Sequence, residues 1–195
     1  MNIYELLDHI KGIFSRPEKE WGRILGQNYS WKQILVYFTI PLLFLSSFAG
    51  ILTLQPGLNL FSLSPNWMFF VVFFGSLISI PGSAFMIAAM APRFKGFSSF
   101  GRTFILISFS YTPVLLASVI ASMHQALQFV NFAALVFMIY LFWRGCEVML
   151  AIPRYKQTGF VIISLLILFA VRVISSSLLA SIAVLFTGNV PEGIY

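Results

Sequence analysis

From Gln33 to Pro92 the chain reads QILVYFTIPLLFLSSFAGILTLQPGLNLFSLSPNWMFFVVFFGSLISIPGSAFMIAAMAP, without one charged residue. Such a run does not suit a soluble domain, in which about a quarter of all residues are charged. It is long enough for two membrane spans of ~20 residues each and the connection between them. Its middle, Gln55 to Asn66 (QPGLNLFSLSPN), gathers Pro, Gly, Asn and Ser and reads as the turn. A first transmembrane helix is therefore expected over residues 33–54 and a second over residues 67–91.

The rest of the 195-residue chain follows the same logic: 59% of it is hydrophobic, only 9% is charged, and its mean hydropathy is +0.91. The charges fall into blocks that delimit further spans. Arg93, Lys95 and Arg102 mark a loop before a third span, residues 103–122, and a short connection leads to a fourth, residues 127–150. Pro153, Arg154 and Lys156 precede a fifth span, residues 159–186, and residues 187–195 read as a loop-like tail outside the membrane. The expected fold class is all-α, an integral membrane bundle of five transmembrane helices behind a short amphipathic N-terminal segment, residues 1–32. This length leaves no room for a separate soluble catalytic or nucleic-acid-binding module.

Lys11, Arg16, Lys19, Arg23, Lys32, Arg93, Lys95, Arg102, Arg154 and Lys156 fall on one side of this topology, while the loops near Pro56 and His124 and the tail hold no Lys or Arg. Basic segments stay in the cytoplasm. The N-terminus is thus expected inside and the C-terminus outside, in the periplasm of a cell with an inner membrane. Trp31, Trp67, Trp143 and Tyr155 fall near span ends, as an interfacial aromatic belt requires.

Residues 1–32 lack the apolar core of a cleavable signal peptide. Ile3, Leu6, Leu7, Ile10, Ile13 and Phe14 recur at spacings of three and four, opposite Glu5, Asp8 and Lys11, which describes an amphipathic helix. Asn2 and Glu5 have capping-box spacing, and Ser30 with Gln33 repeats it at the start of the first span. Pro17 suits the first turn of a second short helix, with Glu18 and Glu20 at its positive end and Trp21, Ile24 and Leu25 on one face. Both helices are expected at the cytoplasmic membrane surface, covering the bundle's end or docking a partner.

The inventory for catalysis is poor. There is one aspartate, Asp8, one cysteine, Cys146, and two histidines, His9 on the surface helix and His124 in an outside turn. A catalytic triad or a metal site would need these to meet across the bilayer. No metal, nucleotide, cofactor or hydrolytic site is expected, and the protein is read as no enzyme. Gly75, Gly82 and the serines beside them permit close helix packing. Pro41, Pro81 and Pro113 enter spans, where each tends to kink its helix.

Three ionisable residues fall inside expected spans: Arg144, Glu147 and Arg172. Charges in hydrocarbon are functional candidates by default. Arg144 and Glu147, three apart on one face, are expected to pair with each other. Arg172 lies ~20 Å into the fifth span, counted from Gly159 at ~1.5 Å per residue. It either reaches Glu147 or is satisfied by carbonyls, by hydroxyls such as those of Tyr111 and Thr112, or by water in a cavity that would suit an anion. Tyr111, Thr112 and Pro113 form a polar notch in the third span.

Five spans preceded by Ser15-Arg16-Pro17-Glu18-Lys19-Glu20-Trp21 resemble the Yip-domain family of membrane proteins, in its bacterial inner-membrane branch. Phe97-Ser98-Ser99-Phe100 with Arg102, Ser110-Tyr111-Thr112-Pro113, and Gly145 with Ile152-Pro153 extend the resemblance over nearly the whole chain. It implies a five-span fold. Eukaryotic members bind Rab-type GTPases, but they have a long cytoplasmic segment and a Gly-Tyr-x-x-x-Pro pattern in the third span. Here that segment ends near Lys32 and Tyr111 and Pro113 are two apart, so the GTPase-binding role does not transfer simply.

Two functions are expected from these features. One is a non-enzymatic membrane protein acting through helix, lipid or partner contacts, self-association included, with its N-terminus on anionic cytoplasmic lipid. The other is a small transporter or channel for an anionic solute or lipid headgroup, using Arg172.

Overall fold

The computed structural model describes residues 3–52 and 64–187. Most of the expected turn at 55–66, the cap at Asn2 and the tail beyond Thr187 lie outside the described residues. Among the described residues every regular element is helical. Helix α1 (Ile3–Ser15) and helix α2 (Pro17–Gly26) precede five helices long and apolar enough to cross a membrane: Trp31–Ile51, Pro65–Phe94, Phe100–Ala121, Ala126–Leu150 and Arg154–Phe186. The chain is a multi-pass membrane protein, and these helices are called the first to fifth spans below.

Local chemistry fixes the span ends. The Ser30 backbone N–H donates to Gln33 Oε1 at 3.3 Å at the head of the first span. A π-helical turn, Leu35–Thr39, stands directly ahead of Pro41, which has no N–H to continue a regular ladder. Thr39 Oγ1 lies 3.2 Å from the Ile34 carbonyl and 3.1 Å from Ser108 Oγ, tying this turn to the third span. Pro81 and Pro113 sit within the unbroken helices Pro65–Met90 and Phe100–Ala121.

The third span is the hub. Of its apolar window 67% is buried, against 22% for the fourth and fifth, and it packs against the first, second and fourth spans. The fifth span lies mainly along the second, where small residues let the backbones approach. A Cβ on Gly75 would lie 3.5 Å from Ser176 Cα, and one on Gly82 would lie 3.4 Å from Val171 Cγ1.

Ten basic residues gather at one end, called the basic end. There the connections lock together: the Phe97 N–H donates to the Leu150 carbonyl at 2.7 Å, Ser98 Oγ donates to the Ala88 carbonyl at 2.9 Å, and the Arg102 N–H donates to Ser99 Oγ at 3.4 Å. Between the fourth and fifth spans Ala151 takes a left-handed conformation, φ 52°, that buries Ile152.

Helices α1 and α2 form an antiparallel hairpin laid on the third and fourth spans. Its anchor is Trp21, fully buried, whose ring occupies a notch left by Gly145. A Cβ at Gly145 would lie 2.7 and 2.9 Å from two Trp21 ring carbons and would press on Leu106 as well. Gly145→Ala is expected to cost about 1–3 kcal/mol through overpacking, read as a lower unfolding midpoint in detergent with altered tryptophan fluorescence. Gly159→Ala should not lower that midpoint, because its Cβ would meet Phe94 at an ordinary 3.5 Å. Equal loss in both variants would remove the notch as anchor.

Candidate functional site

The hairpin brings its own polar interior. His9, expected on an exposed surface helix, is fully buried: α1 lays it under α2, where Nδ1 meets Glu20 Oε1 and Nε2 lies 3.0 Å from the Tyr29 hydroxyl. Its ring also packs edge-on to Phe109 of the third span, 6.1 Å between centroids. Burial raises the Tyr29 hydroxyl above its ordinary range. Outside this buried pair, Arg23 Nη1 donates to Asp8 Oδ2 at 2.7 Å and holds that carboxyl below its usual range. The contribution of this second pair is present at neutral pH and lost as pH falls into the carboxylate range. It is small, because the two side chains are 45% and 58% exposed.

Exposed apolar side chains form a belt around the bundle. It runs from Val36 to Phe48 on the first span, from Phe74 to Met86 on the second, from Phe129 to Tyr140 on the fourth and from Ile162 to Phe186 on the fifth. Arg144 and Glu147 lie beyond its basic edge, and they do not pair with each other. Arg144 Nη2 is 2.5 Å from Glu18 Oε1 of α2 and its guanidinium lies over the Tyr140 ring, while Glu147 Oε1 accepts from Arg154 Nε at 2.9 Å. The i,i+3 geometry was available, but each residue found a partner brought by another element.

That leaves one charge at depth. Arg172 is ten residues past Ile162, ~15 Å along the helix axis, which is the middle of a ~30 Å hydrocarbon core. It does not reach Glu147. Its Nη1 donates to Ser76 Oγ and to the Val72 carbonyl, the latter at 3.4 Å. Ser76 in turn donates to the Val72 carbonyl at 2.7 Å, and Gly75 lies beside the guanidinium, where a Cβ would stand 3.7 Å from Nη1 in ordinary contact. Among the described residues no carboxylate pairs with Arg172, and its Nε and Nη2 groups make no hydrogen bond.

Arg172 lines a cavity of about 370 Å³ to which all five spans contribute. The first supplies Leu43, Ser46 and Gly50, the second Val72, Ser76, Ser79 and Ile80, the third Tyr111, Val114, Leu115 and Ser118, and the fourth Leu135 and Met138. Ser46 and Ser118 are hydrogen-bonded to each other at 2.6 Å. The cavity is thus apolar in its walls, with one cation, a phenol and four serines set into them. Gly50 and Leu135 are exposed and form its open edge. Among the described residues no group of three or more His, Cys, Asp and Glu side chains could hold a metal ion.

The third-span notch is divided by this arrangement. Tyr111 lines the Arg172 cavity, Thr112 donates to the Ser108 carbonyl at 3.3 Å, and Pro113 faces a separate groove between the third and fourth spans. Sequence reading missed Ser46, Ser76, Ser79 and Ser118, although Val72, Ser76 and Ser79 follow helical spacing on one face. It also missed the His9–Glu20 pair, for which a spacing of eleven residues gives no signal.

The model of the Yip1 domain matches residues 11–190. The chain belongs to the Yip1-domain family. No curated protein and no solved structure matches it. In this Yip1-domain protein the N-terminal motif is largely a docking device. Pro17 opens α2, Glu18 meets Arg144, Glu20 meets His9, and Trp21 fills the Gly145 notch.

Removing one partner of a buried hydrogen bond leaves the other unsatisfied. Glu20→Ala is expected to cost about 1–3 kcal/mol by that route and to speed tryptic cleavage at Lys11, Arg16 and Lys19. Asp8→Asn, which breaks only the exposed pair, should leave cleavage nearly unchanged. If both variants loosen the hairpin alike, the buried pair is not what holds it.

Proposed function

We propose that this Yip1-domain protein is a multi-pass protein of a bacterial inner membrane that holds an anionic group, of a solute or of a lipid headgroup, in its Arg172 cavity. The N-terminus and the hairpin lie in the cytoplasm and the C-terminus in the periplasm, as the ten basic residues at the hairpin end support.

The observation that carries this reading is the state of Arg172. A guanidinium at mid-membrane depth is costly unless paired, and among the described residues only Nη1 is engaged, by neutral groups. Nε and Nη2 retain three N–H donors beside a cavity, the geometry with which arginine takes an oxyanion. The Tyr111 hydroxyl stands in the same cavity, whose four serines spend their O–H groups on the protein itself. Among the described residues no carboxylate, imidazole or thiol lines the cavity to act as a base beside its hydroxyls, so the site is read as one for binding and passage rather than for bond-making, in line with action through lipid contacts. The third-span motif offers a soluble GTPase no surface, because Tyr111 and Pro113 face the bundle interior and the membrane.

Two measurements test it. Purified protein in nanodiscs is titrated with inorganic phosphate and, separately, examined by native mass spectrometry for retained anionic phospholipid; proteoliposomes report anion flux. Charge-assisted hydrogen bonds contribute about 1.5–3 kcal/mol each, so Arg172→Gln should weaken the responsive arm roughly 10- to 100-fold, and Arg172→Lys should restore part of it. A folded Arg172→Gln protein with unchanged phosphate binding, lipid retention and flux would remove the proposal.

A further inference from the structure

The Arg172 cavity is closed toward the basic end and open toward the other. Its lining nearest the basic end consists of Leu43, Ile80, Tyr111, Met138 and Arg172, one from each span. About one turn further in that direction stand Thr39, Ala84, Ser108, Phe142 and Leu168, all of them buried. Phe38 and Phe109 stack in the same layer, 4.4 Å between centroids. In the opposite direction the cavity continues past Ser46 and Ser118 to Gly50, next to the last residue of the first span. From Leu43 to Gly50 it follows that helix for ~10 Å. It is therefore a slot that runs from mid-depth to the edge of the apolar belt on the side away from the basic end.

The slot also has an open side, and the fourth span shows where. The basic half of that helix is packed: Leu141, Phe142, Cys146 and Met149 are buried, and Gln157 Nε2 of the fifth span donates to the Trp143 carbonyl at 2.6 Å. Over residues 126–137 only Ala134 is buried. Leu135, which lines the slot, is 47% exposed. Its neighbours Phe132 and Val136 are exposed and apolar as well, so what lies outside the opening is hydrocarbon and not water. Among the described residues Arg172 is also the one full charge in this half of the bundle, because the ten basic residues of the loops stand at the other end.

We infer, on the reading of Arg172 as the holder of an anionic group, that this group is the phosphate of an anionic phospholipid from the leaflet opposite the basic end. The headgroup stands in the slot and the acyl chains stay in the bilayer outside the opening at Leu135. Such a lipid matches both parts of the site, a cation at the inner end and an apolar opening at the side. Its phosphate descends ~15 Å, half of a ~30 Å core, and the cost of bringing it there is offset because phosphate and guanidinium compensate each other. Phosphatidylcholine carries the same phosphate, but it would bring a quaternary ammonium into a slot whose described lining holds a cation and no carboxylate. Selection by headgroup charge in this leaflet therefore rests on Arg172.

The test uses the full-length protein in nanodiscs of phosphatidylcholine with a small fraction of phosphatidylglycerol, one of the two carrying a photoreactive group on its headgroup. Labelled peptides are mapped after illumination. Labelling of the 43–50 and 111–118 segments is expected to be roughly tenfold stronger with the phosphatidylglycerol probe, as one charge-assisted hydrogen bond provides. Arg172→Gln should abolish that preference and leave labelling at the basic end unchanged. Leu135→Trp, a lipid-facing substitution that fills the opening, should reduce slot labelling in a protein that remains folded. In proteoliposomes loaded with the probe in the outer leaflet alone and illuminated at once, only chains whose basic end is shielded from external trypsin should be labelled in the slot. Equal labelling by the two probes, with inorganic phosphate binding still dependent on Arg172, would overturn the lipid assignment and leave the anion site standing. Phosphate binding and labelling that both ignore Arg172→Gln would remove the two together. Labelling undiminished by Leu135→Trp, or equal in both orientations, would overturn entry from the side and from that leaflet.

Discussion

A guanidinium in the middle of a bilayer constrains everything near it. Arg172 has no counter-ion among the described residues, so the surrounding helices must do three things at once: admit its length, satisfy part of it, and leave space beside it. The packing of the fifth span along the second admits it, Ser76 and the Val72 carbonyl satisfy Nη1, and the cavity formed by all five spans is the space. These demands fall on the second span. Its Gly and Ser residues bring the fifth span close enough for the arginine to reach inward, and the same Ser residues are the polar points of the cavity wall. A tighter, wholly apolar second span would leave Arg172 facing lipid.

The other charges behave differently because they are not at depth. Arg144 and Glu147 lie past the apolar belt, where side chains of α2 and of the first turn of the fifth span can reach them. Their pairing is a consequence of the hairpin's position, and that position is set by apolar packing. Trp21 enters the Gly145 notch, Ile13 and Ile24 are buried with it, and His9 and Glu20 meet inside the same contact. The hairpin is thus part of the bundle and not a helix pair lying loosely on a membrane surface.

How much of this could be read from sequence follows from the range of each interaction. The five apolar helices and the amphipathic start of the chain are properties of contiguous residues, and periodicity with charge placement is enough to find them. Pro17 and the Ser30–Gln33 cap are equally local. Pairings that cross elements are not. Arg144 has a carboxylate three residues away and takes one 126 positions earlier, because spacing along one helix says nothing about what a neighbouring element brings. The cavity serines lie on different spans, and each alone looks like ordinary small-residue packing. Arg172 stood out because its cost is independent of its neighbours: hydrocarbon makes any unpaired charge conspicuous. Its setting, by contrast, required the fold.

The third span connects these features. Tyr111 and Pro113 are two residues apart, which on a helix turns them about 200° from each other, so one faces the Arg172 cavity and the other the groove between the third and fourth spans. Between them Thr112 bonds back to the Ser108 carbonyl, and Ser108 meets Thr39 beside the π turn of the first span. With two thirds of its surface covered, the third span cannot turn about its axis without moving both walls. The cavity and the groove therefore share one rigid partition. The Ser110-Tyr111-Thr112-Pro113 motif owes its place in the fold to that double exposure.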